Sequence, residues 1–199
     1  MASSKSIVVT AYSNQWPVVF RQLKEVYQKK LSGLVLAIEH VGSTSVPGLK
    51  AKPIIDIDII VNDTDKLNAT IMKLGELGYR HKGDLGIAGR EAFECLSPQV
   101  PLDGTDRIWP DHHLYVCLQD SLSLMNHLKF RNYLRTYPGE AQAYALLKEK
   151  LAAQFATDID RYVEGKTTFI TDILHKLGFE QDSLAVIRTQ NQAANSDAD

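Results

Sequence analysis

Apolar residues recur at three- and four-residue spacing through positions 13–33, where Trp16, Phe20, Leu23 and Tyr27 fall on one side of a helix. Ser13 or Asn14 can cap it, and Pro17 is tolerated in a first turn because its missing N–H would have had no partner there. Short apolar runs predict strands over 34–41 and 54–61. Leu67, Ile71, Leu74 and Leu77 give 65–77 a helical period, and Gly78 stops it. Two more strands are predicted over 90–96 and 113–118, with a Pro-, Gly- and Asp-rich loop between them at 97–111, long enough to be functional or mobile. The rest reads as helix. Leu122, Met125, Leu128, Tyr133 and Leu134 mark one amphipathic helix ended by Pro138-Gly139; 140–155 is a second, and 158–177 a third that ends at Gly178. Residues 190–199 are small and polar, which predicts a disordered tail. No internal repeat is present in the sequence.

One strand breaks the apolar pattern. Asp56 and Asp58 lie two apart in the second run, so they share a face about 6.6 Å apart, while Ile55, Ile57 and Ile59 point the other way into a core. Two carboxylates on a mostly apolar strand repel each other, and burial makes the repulsion worse. A cation between them removes the cost. Mg²⁺ (or Mn²⁺ in its place) fits, because it takes oxygen ligands, commonly one or two carboxylates plus substrate phosphates. The preceding strand runs directly into Gly42 and Ser43, where a small turn can offer backbone N–H groups and a hydroxyl to a phosphate. Twelve residues separate Ser43 from Asp56. Each half of the pattern is weak alone, since exposed strands carry Asp-x-Asp by chance. Strand, Gly-Ser turn and Asp-x-Asp in that order describe a site for a metal-bound polyphosphate.

Composition narrows the partner. The chain has 199 residues, 44% of them hydrophobic, with a formal net charge of -2. It can bury a core without disulfide staples, and it exerts no long-range pull on nucleic acid or anionic membrane. Neither a basic stripe nor interleaved aromatics points to nucleic acid, and no apolar stretch approaches a membrane span. Cys95 and Cys117 form no CxxC and read as buried thiols of a reducing compartment. With no signal-peptide pattern at the amino terminus, a cytoplasmic protein is expected.

Basic groups that could meet a phosphate tail lie in the helical part. Arg131 and Arg135 share a helix face, as do Tyr162 and Lys166, and Lys148 lies on the helix between. Their plain alternative is ordinary ion pairing with Glu140, Glu149 or Asp158. Lys52 is a further phosphate candidate. Among the histidines, no HxH or HExxH spacing supports zinc, and His112 and His113, as strand neighbours, face opposite ways. His40 can serve as a core hydrogen-bonding group. His113 stands as a general base for an acceptor hydroxyl or as a group supporting the site, against the alternative of a structural histidine.

The run His40-Val-Gly-Ser-Thr-Ser-Val-Pro-Gly-Leu49, followed by Ala51-Lys-Pro-Ile-Ile-Asp56, resembles the signature of the GrpB family, which is similar to the polymerase-beta-type nucleotidyltransferase superfamily. The resemblance continues through Tyr12, Trp16, Gly89-Arg90, His112-His-Leu, Lys129-Phe-Arg-Asn-Tyr-Leu-Arg135, Tyr144, Lys148, Tyr162 and Lys166, over about 10–178. It implies an α+β fold: a nucleotidyltransferase-like mixed sheet with flanking helices and a C-terminal helical extension. It implies one domain over 1–178, with a core at about 13–120, a helical part at about 121–178, and a tail over 179–199. Together with the carboxylate pair and the Gly-Ser turn, that fold leads to the expectation of nucleotidyl transfer from a nucleoside triphosphate to a small-molecule or protein acceptor approaching from the 97–111 loop. The rival reading is a nucleotide-binding or regulatory module without catalysis. Three departures bear on this. The strand that should carry a third carboxylate reads His113-Leu-Tyr-Val, leaving only Glu94 and Asp111 as substitutes. His113-Leu114-Tyr115 stands where the family often has His-Leu-His, and Phe130-Arg131-Asn132 where it often has Phe-Arg-Asp.

Overall fold

A computed structural model describes residues 6–193. Helix α1 (Gln15–Lys30) follows the predicted stripe, burying Trp16, Leu23 and Tyr27, with Ser13 Oγ accepting from the Gln15 N–H in place of a cap from Asn14. Strands β1 (Ala37–Val41), β2 (Ile55–Val61), β3 (Tyr79–Gly83), β4 (Arg90–Cys95) and β5 (His112–Leu118) form one sheet in the order β1-β2-β5-β4-β3. Only the β2–β5 pairing is parallel; the other three are antiparallel. The fold is thus α+β with a mixed sheet. A parallel neighbour needs a crossover, and α2 (Thr64–Glu76) begins it, capped by Asp63, whose side chain accepts from the Lys66 N–H.

Alternation along the strands divides the sheet into two faces. Ile55, Ile57, Ile59, Leu114 and Val116 pack with α1 and α2 in the main core. The 97–111 loop closes that core with Val100 and Trp109, whose Nε1 donates to the Pro101 carbonyl. Asp56, Asp58, His113 and Tyr115 occupy the other face, towards α3 (Leu122–Thr136), α4 (Pro138–Gln154) and α5 (Ile159–Lys176).

Two elements depart from the sequence reading. β3 is not among the strands that the apolar pattern predicts. It is an edge strand that buries Tyr79 while Arg80, His81 and Lys82 are polar and mostly exposed, a pattern with no apolar alternation to detect. The expected tail over 179–199 holds a helix, α6 (Gln181–Ala193). Leu184 and Ile187 lie one turn apart and pack with Leu174 of α5, which suffices to dock an otherwise polar helix. Residues 190–193 of the predicted disordered segment belong to it, and 194–199 lie outside the described residues. Among the described residues no helix is long and apolar enough to cross a membrane.

Candidate functional site

The turn after β1 is built around a missing side chain. Gly42 has φ 65 and ψ -173, and a Cβ placed there would lie 2.0 Å from Asp56 Oδ2. The β1–β2 register sets Val41 opposite Asp56, so the strand end delivers Gly42 directly onto that carboxylate. Ser45 Oγ donates to the Gly42 carbonyl at 2.6 Å, and Thr44 Oγ1 donates to the Ile54 carbonyl at 3.0 Å. The Thr44 oxygen is then free to accept, so His40 Nε2 donates to it at 3.0 Å. His40 also stacks on Phe20, and burial lowers its pKa to about 4, so it is a neutral core group.

The aspartates each bond one histidine. Asp56 Oδ1 accepts from His113 Nδ1 at 2.9 Å, and the fully buried Asp58 accepts through Oδ2 from His127 Nδ1 at 2.8 Å. Burial alone would raise the Asp56 pKa; the His113 hydrogen bond and the nearby histidines outweigh it and hold the carboxyl below its ordinary range. Burial likewise pushes both imidazoles down, but their carboxylate partners prevail and both lie above the usual histidine value. One oxygen of each aspartate remains: Asp56 Oδ2 against the Gly42 turn, and Asp58 Oδ1, buried with no hydrogen-bond partner. A carboxylate oxygen free of hydrogen bonds suits a hard cation; Asp56 lines the two cavities of the site, whereas Asp58, fully buried behind it, lines neither. Among the described residues no three His, Cys, Asp or Glu side chains converge on one point, so the protein alone does not complete a metal shell.

Two cavities meet at Asp56. The larger, about 340 Å³, is lined by Ser43, Lys52, Asp56, His113, Lys148, Tyr162 and Lys166. The other, about 240 Å³, is lined by Gly42, Ser43, Asp56, Arg90, Tyr115, His127, Arg131, Lys166 and the apolar side chains between α3 and α5. Lys148 Nζ donates to Ser43 Oγ at 2.9 Å and also bonds the Lys50 carbonyl. Burial, and then the neighbouring Lys166, lower its pKa to about 7. Burial and Lys52 bring Lys166 to about 8, and burial also lowers Lys52. The acids that might have paired with this set are engaged elsewhere: Glu149 with Lys50, Glu140 with Lys176, and Asp158 with Arg161. Crowded, desolvated cations beside a Gly-Ser turn are the complement of a polyanion.

Other expected residues lie differently. Arg135 lines neither cavity: its Nε and Nη2 donate to the Ser45 carbonyl at 3.0 and 2.7 Å. Arg131 Nη1 donates to Glu39 Oε2 at 2.7 Å and to the His40 carbonyl at 2.9 Å, so it clamps the start of the turn while edging the smaller cavity. The two arginines hold the Gly42-Ser43 turn from either end, through the carbonyls of His40 and Ser45. Glu94 bonds Arg80 at the far side of the sheet, and Asp111 lines neither cavity, so neither replaces the third carboxylate. The β2–β5 register places His113 beside Asp56 and Tyr115 beside Asp58. Residues of the 97–111 loop line a separate hollow that meets the larger cavity only through Ile54 and His113. His112 faces the opposite way, bonded to the Tyr79 hydroxyl. Cys117 is buried and Cys95 partly so, both free thiols that burial pushes up, Cys95 to about 11.

Three residues of the site escaped the sequence reading: His127, Arg90 and Tyr115. His127 had a local signal, since it precedes Arg131 and Arg135 at four-residue steps on one face of α3. Arg90 and Tyr115 come together across β4 and β5, which no local spacing reveals.

Comparison with known proteins identifies the family of the chain. The sequence model of the family described as GrpB protein matches residues 6–176. UPF0157 protein YqkA of Bacillus subtilis is 35% identical over 166 residues, covering 83% of this chain, and the chain spans about half (46%) the length of that relative. The crystal structure of conserved protein GrpB from Enterococcus faecalis superposes with a TM-score of 0.69 at 32% identity, covering 89% of this chain and 98% of that one. A looser likeness, to Cid1 in complex with its short product ApU, has a TM-score of 0.47 at 12% identity over 70% of this chain and 42% of that one, and bears on no question of activity. The turn, the carboxylate strand and the match across nearly all of the described residues lead to one statement: the chain belongs to the GrpB protein family.

Proposed function

We propose that the protein binds a nucleoside triphosphate with Mg²⁺ and transfers its nucleotidyl group to an acceptor hydroxyl. The observation that supports this best is the convergence of the Gly42-Ser43 turn, Asp56, Lys148 and Lys166 on one cavity. In this reading Ser43, Lys52, Lys148 and Lys166 take the phosphate oxygens, and Tyr162 shapes the wall beneath Lys166, which lies 4.5 Å from its ring. Asp56 and Asp58 hold the Mg²⁺, which offsets charge on the phosphates when bound. The acceptor oxygen attacks the α-phosphorus, the bond to the bridging oxygen breaks, pyrophosphate leaves and the hydroxyl proton passes to water. His113, bonded to Asp56 and held towards its protonated form, orients that carboxylate rather than acting as the base.

A second reading has its own support. His113 and Tyr115 occupy the strand positions beside the two aspartates, so β5 offers no third carboxylate to assist the attack. The same site then serves as a nucleotide-binding or regulatory module. Incubation with labelled ATP, GTP, CTP and UTP, Mg²⁺ and a cell extract separates the two. Pyrophosphate release with a labelled acceptor is expected for the transferase; binding without release identifies the module. Asp56→Asn is expected to weaken Mg²⁺-dependent triphosphate binding by about 30-fold or more by calorimetry, the scale of a lost charge-assisted contact. Unchanged affinity would remove Asp56 from the site.

The lysines add a proton signature. Free Lys148 at about 7 and Lys166 at about 8 are mostly neutral at pH 8.5. A triphosphate favours their charged forms against Lys52 and each other, so binding takes up on the order of one proton at that pH. Uptake fades towards pH 6, where both already carry protons. Calorimetry in buffers of differing ionisation enthalpy reads this directly, and Lys148→Met should remove a share of it. Uptake that is equal at pH 6 and 8.5 would place the phosphates elsewhere.

A further inference from the structure

Arg90 is a buried cation without an anion. Its side chain is nine-tenths buried, and Nε is one of three buried side-chain atoms among the described residues with no hydrogen-bond partner. None of the ion pairs among the described residues includes it. Its guanidinium lies 4.4 Å from the Tyr115 ring, which offsets part of the desolvation but satisfies no N–H. A guanidinium stays charged in any protein environment, and leaving its Nε–H unpaired away from water is costly. A second orphaned atom, Asp58 Oδ1, belongs to the partner of His127, which lines the same cavity as Arg90.

That cavity has a two-sided lining. Arg90 and Tyr115 come from the sheet, while Phe130 and Tyr144, at 5.2 Å edge to face, and Ile170 come from the helices. The cavity shares Ser43, Asp56 and Lys166 with the lysine-lined one, so an occupant would lie directly beside the carboxylate and next to the phosphate-binding groups proposed above. At about 240 Å³ it admits roughly one substituted aromatic ring and no polymer. Aromatic walls with one charged fork suit a planar body carrying an oxyanion, which a guanidinium binds in bidentate fashion.

We propose that this cavity is the acceptor subsite and that Arg90 binds the carboxylate or phosphate of a small aromatic acceptor. In naming the occupant an acceptor, this rests on the transfer reaction proposed above; the anion site itself does not. The test titrates the full chain with phenyl phosphate, benzoate and the neutral benzyl alcohol, without nucleotide or Mg²⁺. At least one anion is expected to bind about tenfold or more tighter than benzyl alcohol, and Arg90→Gln to abolish the preference. Equal binding of all three probes, or a preference that survives in Arg90→Gln, overturns the proposal. The melting temperature of Arg90→Gln should not fall, because the substitution removes an unpaired buried charge; a large fall with loss of the fold assigns Arg90 a structural role instead. The wild type supplies a readout free of that risk. The assigned Arg90 Nε–H resonance should shift on titration with the anion, and a stationary resonance defeats the idea. Retained anion binding beside saturating ATP and Mg²⁺ supports an acceptor subsite, whereas mutual exclusion gives the cavity to the nucleotide. Anion binding in a protein that binds no triphosphate keeps the site and ends its role as an acceptor subsite.

Discussion

Gly42→Ala is expected to cost roughly 3 kcal/mol of folding stability and to disable the cleft with it. Two separate effects combine. Gly42 sits at φ 65 and ψ -173, a backbone region that side-chain-bearing residues adopt only under strain, at about 1–3 kcal/mol. The added methyl would also meet Asp56, with Oδ2 at 2.0 Å and the carboxyl carbon at 2.7 Å. No rotation of a methyl relieves such a contact, so the carboxylate must swing away and give up its bond to His113. The two effects can be separated by urea denaturation of four proteins: wild type, Gly42→Ala, Asp56→Ala and the double variant. The backbone share and the 2.9 Å contact with Cβ of residue 56 persist in the Asp56→Ala background, while the clash with the carboxyl group disappears, giving a coupling of about 1 kcal/mol. Stability of Gly42→Ala within about 0.5 kcal/mol of wild type would mean that the turn does not require glycine.

The same turn shows why part of this architecture is legible in the sequence. Gly42 and Ser43 follow an apolar run, and Asp56 alternates with three isoleucines, so strand period alone puts both carboxylates on the face away from the core. Periodicity also locates α1 to α5, because each buries a stripe spaced by three and four. What it does not reveal is competition between distant groups. Arg131 and Arg135 have the spacing of a phosphate-binding pair, yet Glu39 and the carbonyls of His40 and Ser45, some ninety residues away, take their donors. Lys148 and Lys166 carry no stronger local signal and do reach the cleft. β3 is hidden because an edge strand protects itself with charge, and α6 because Leu184 and Ile187 are too few to stand out in a polar segment. Sequence pattern identifies what must be buried; which cation meets which oxygen depends on the sheet order.

Asp58→Ala should be about as damaging as Gly42→Ala, at roughly 3 kcal/mol, for a different reason. Asp58 is fully buried in β2 and is joined to His127 of α3 at 2.8 Å, so its removal leaves a partly buried imidazole without its acceptor. One side of the pair is apolar, where Ile60, Cys117 and Leu124 pack together with Leu128 against them; on the other side His127 lines the cavity with Arg90 and Asp56. Hydrophobic groups of similar volume can therefore replace both members, and Asp58→Leu combined with His127→Leu is expected to recover most of the loss. A double variant as unstable as the single one would show that the carboxylate is needed for something other than its histidine. Recovery would sharpen the question of why the chain carries this pair. A carboxylate with one oxygen left unsatisfied is a poor way to stabilise a strand, and the proposed Mg²⁺ is one partner for that oxygen. Thermal denaturation with ATP, in the presence and absence of Mg²⁺, then decides between these uses. The wild type should gain melting temperature from Mg²⁺ together with nucleotide, and the rescued double variant should gain much less. An equal gain in both would take Asp58 out of the metal site and leave Asp56 to act without it.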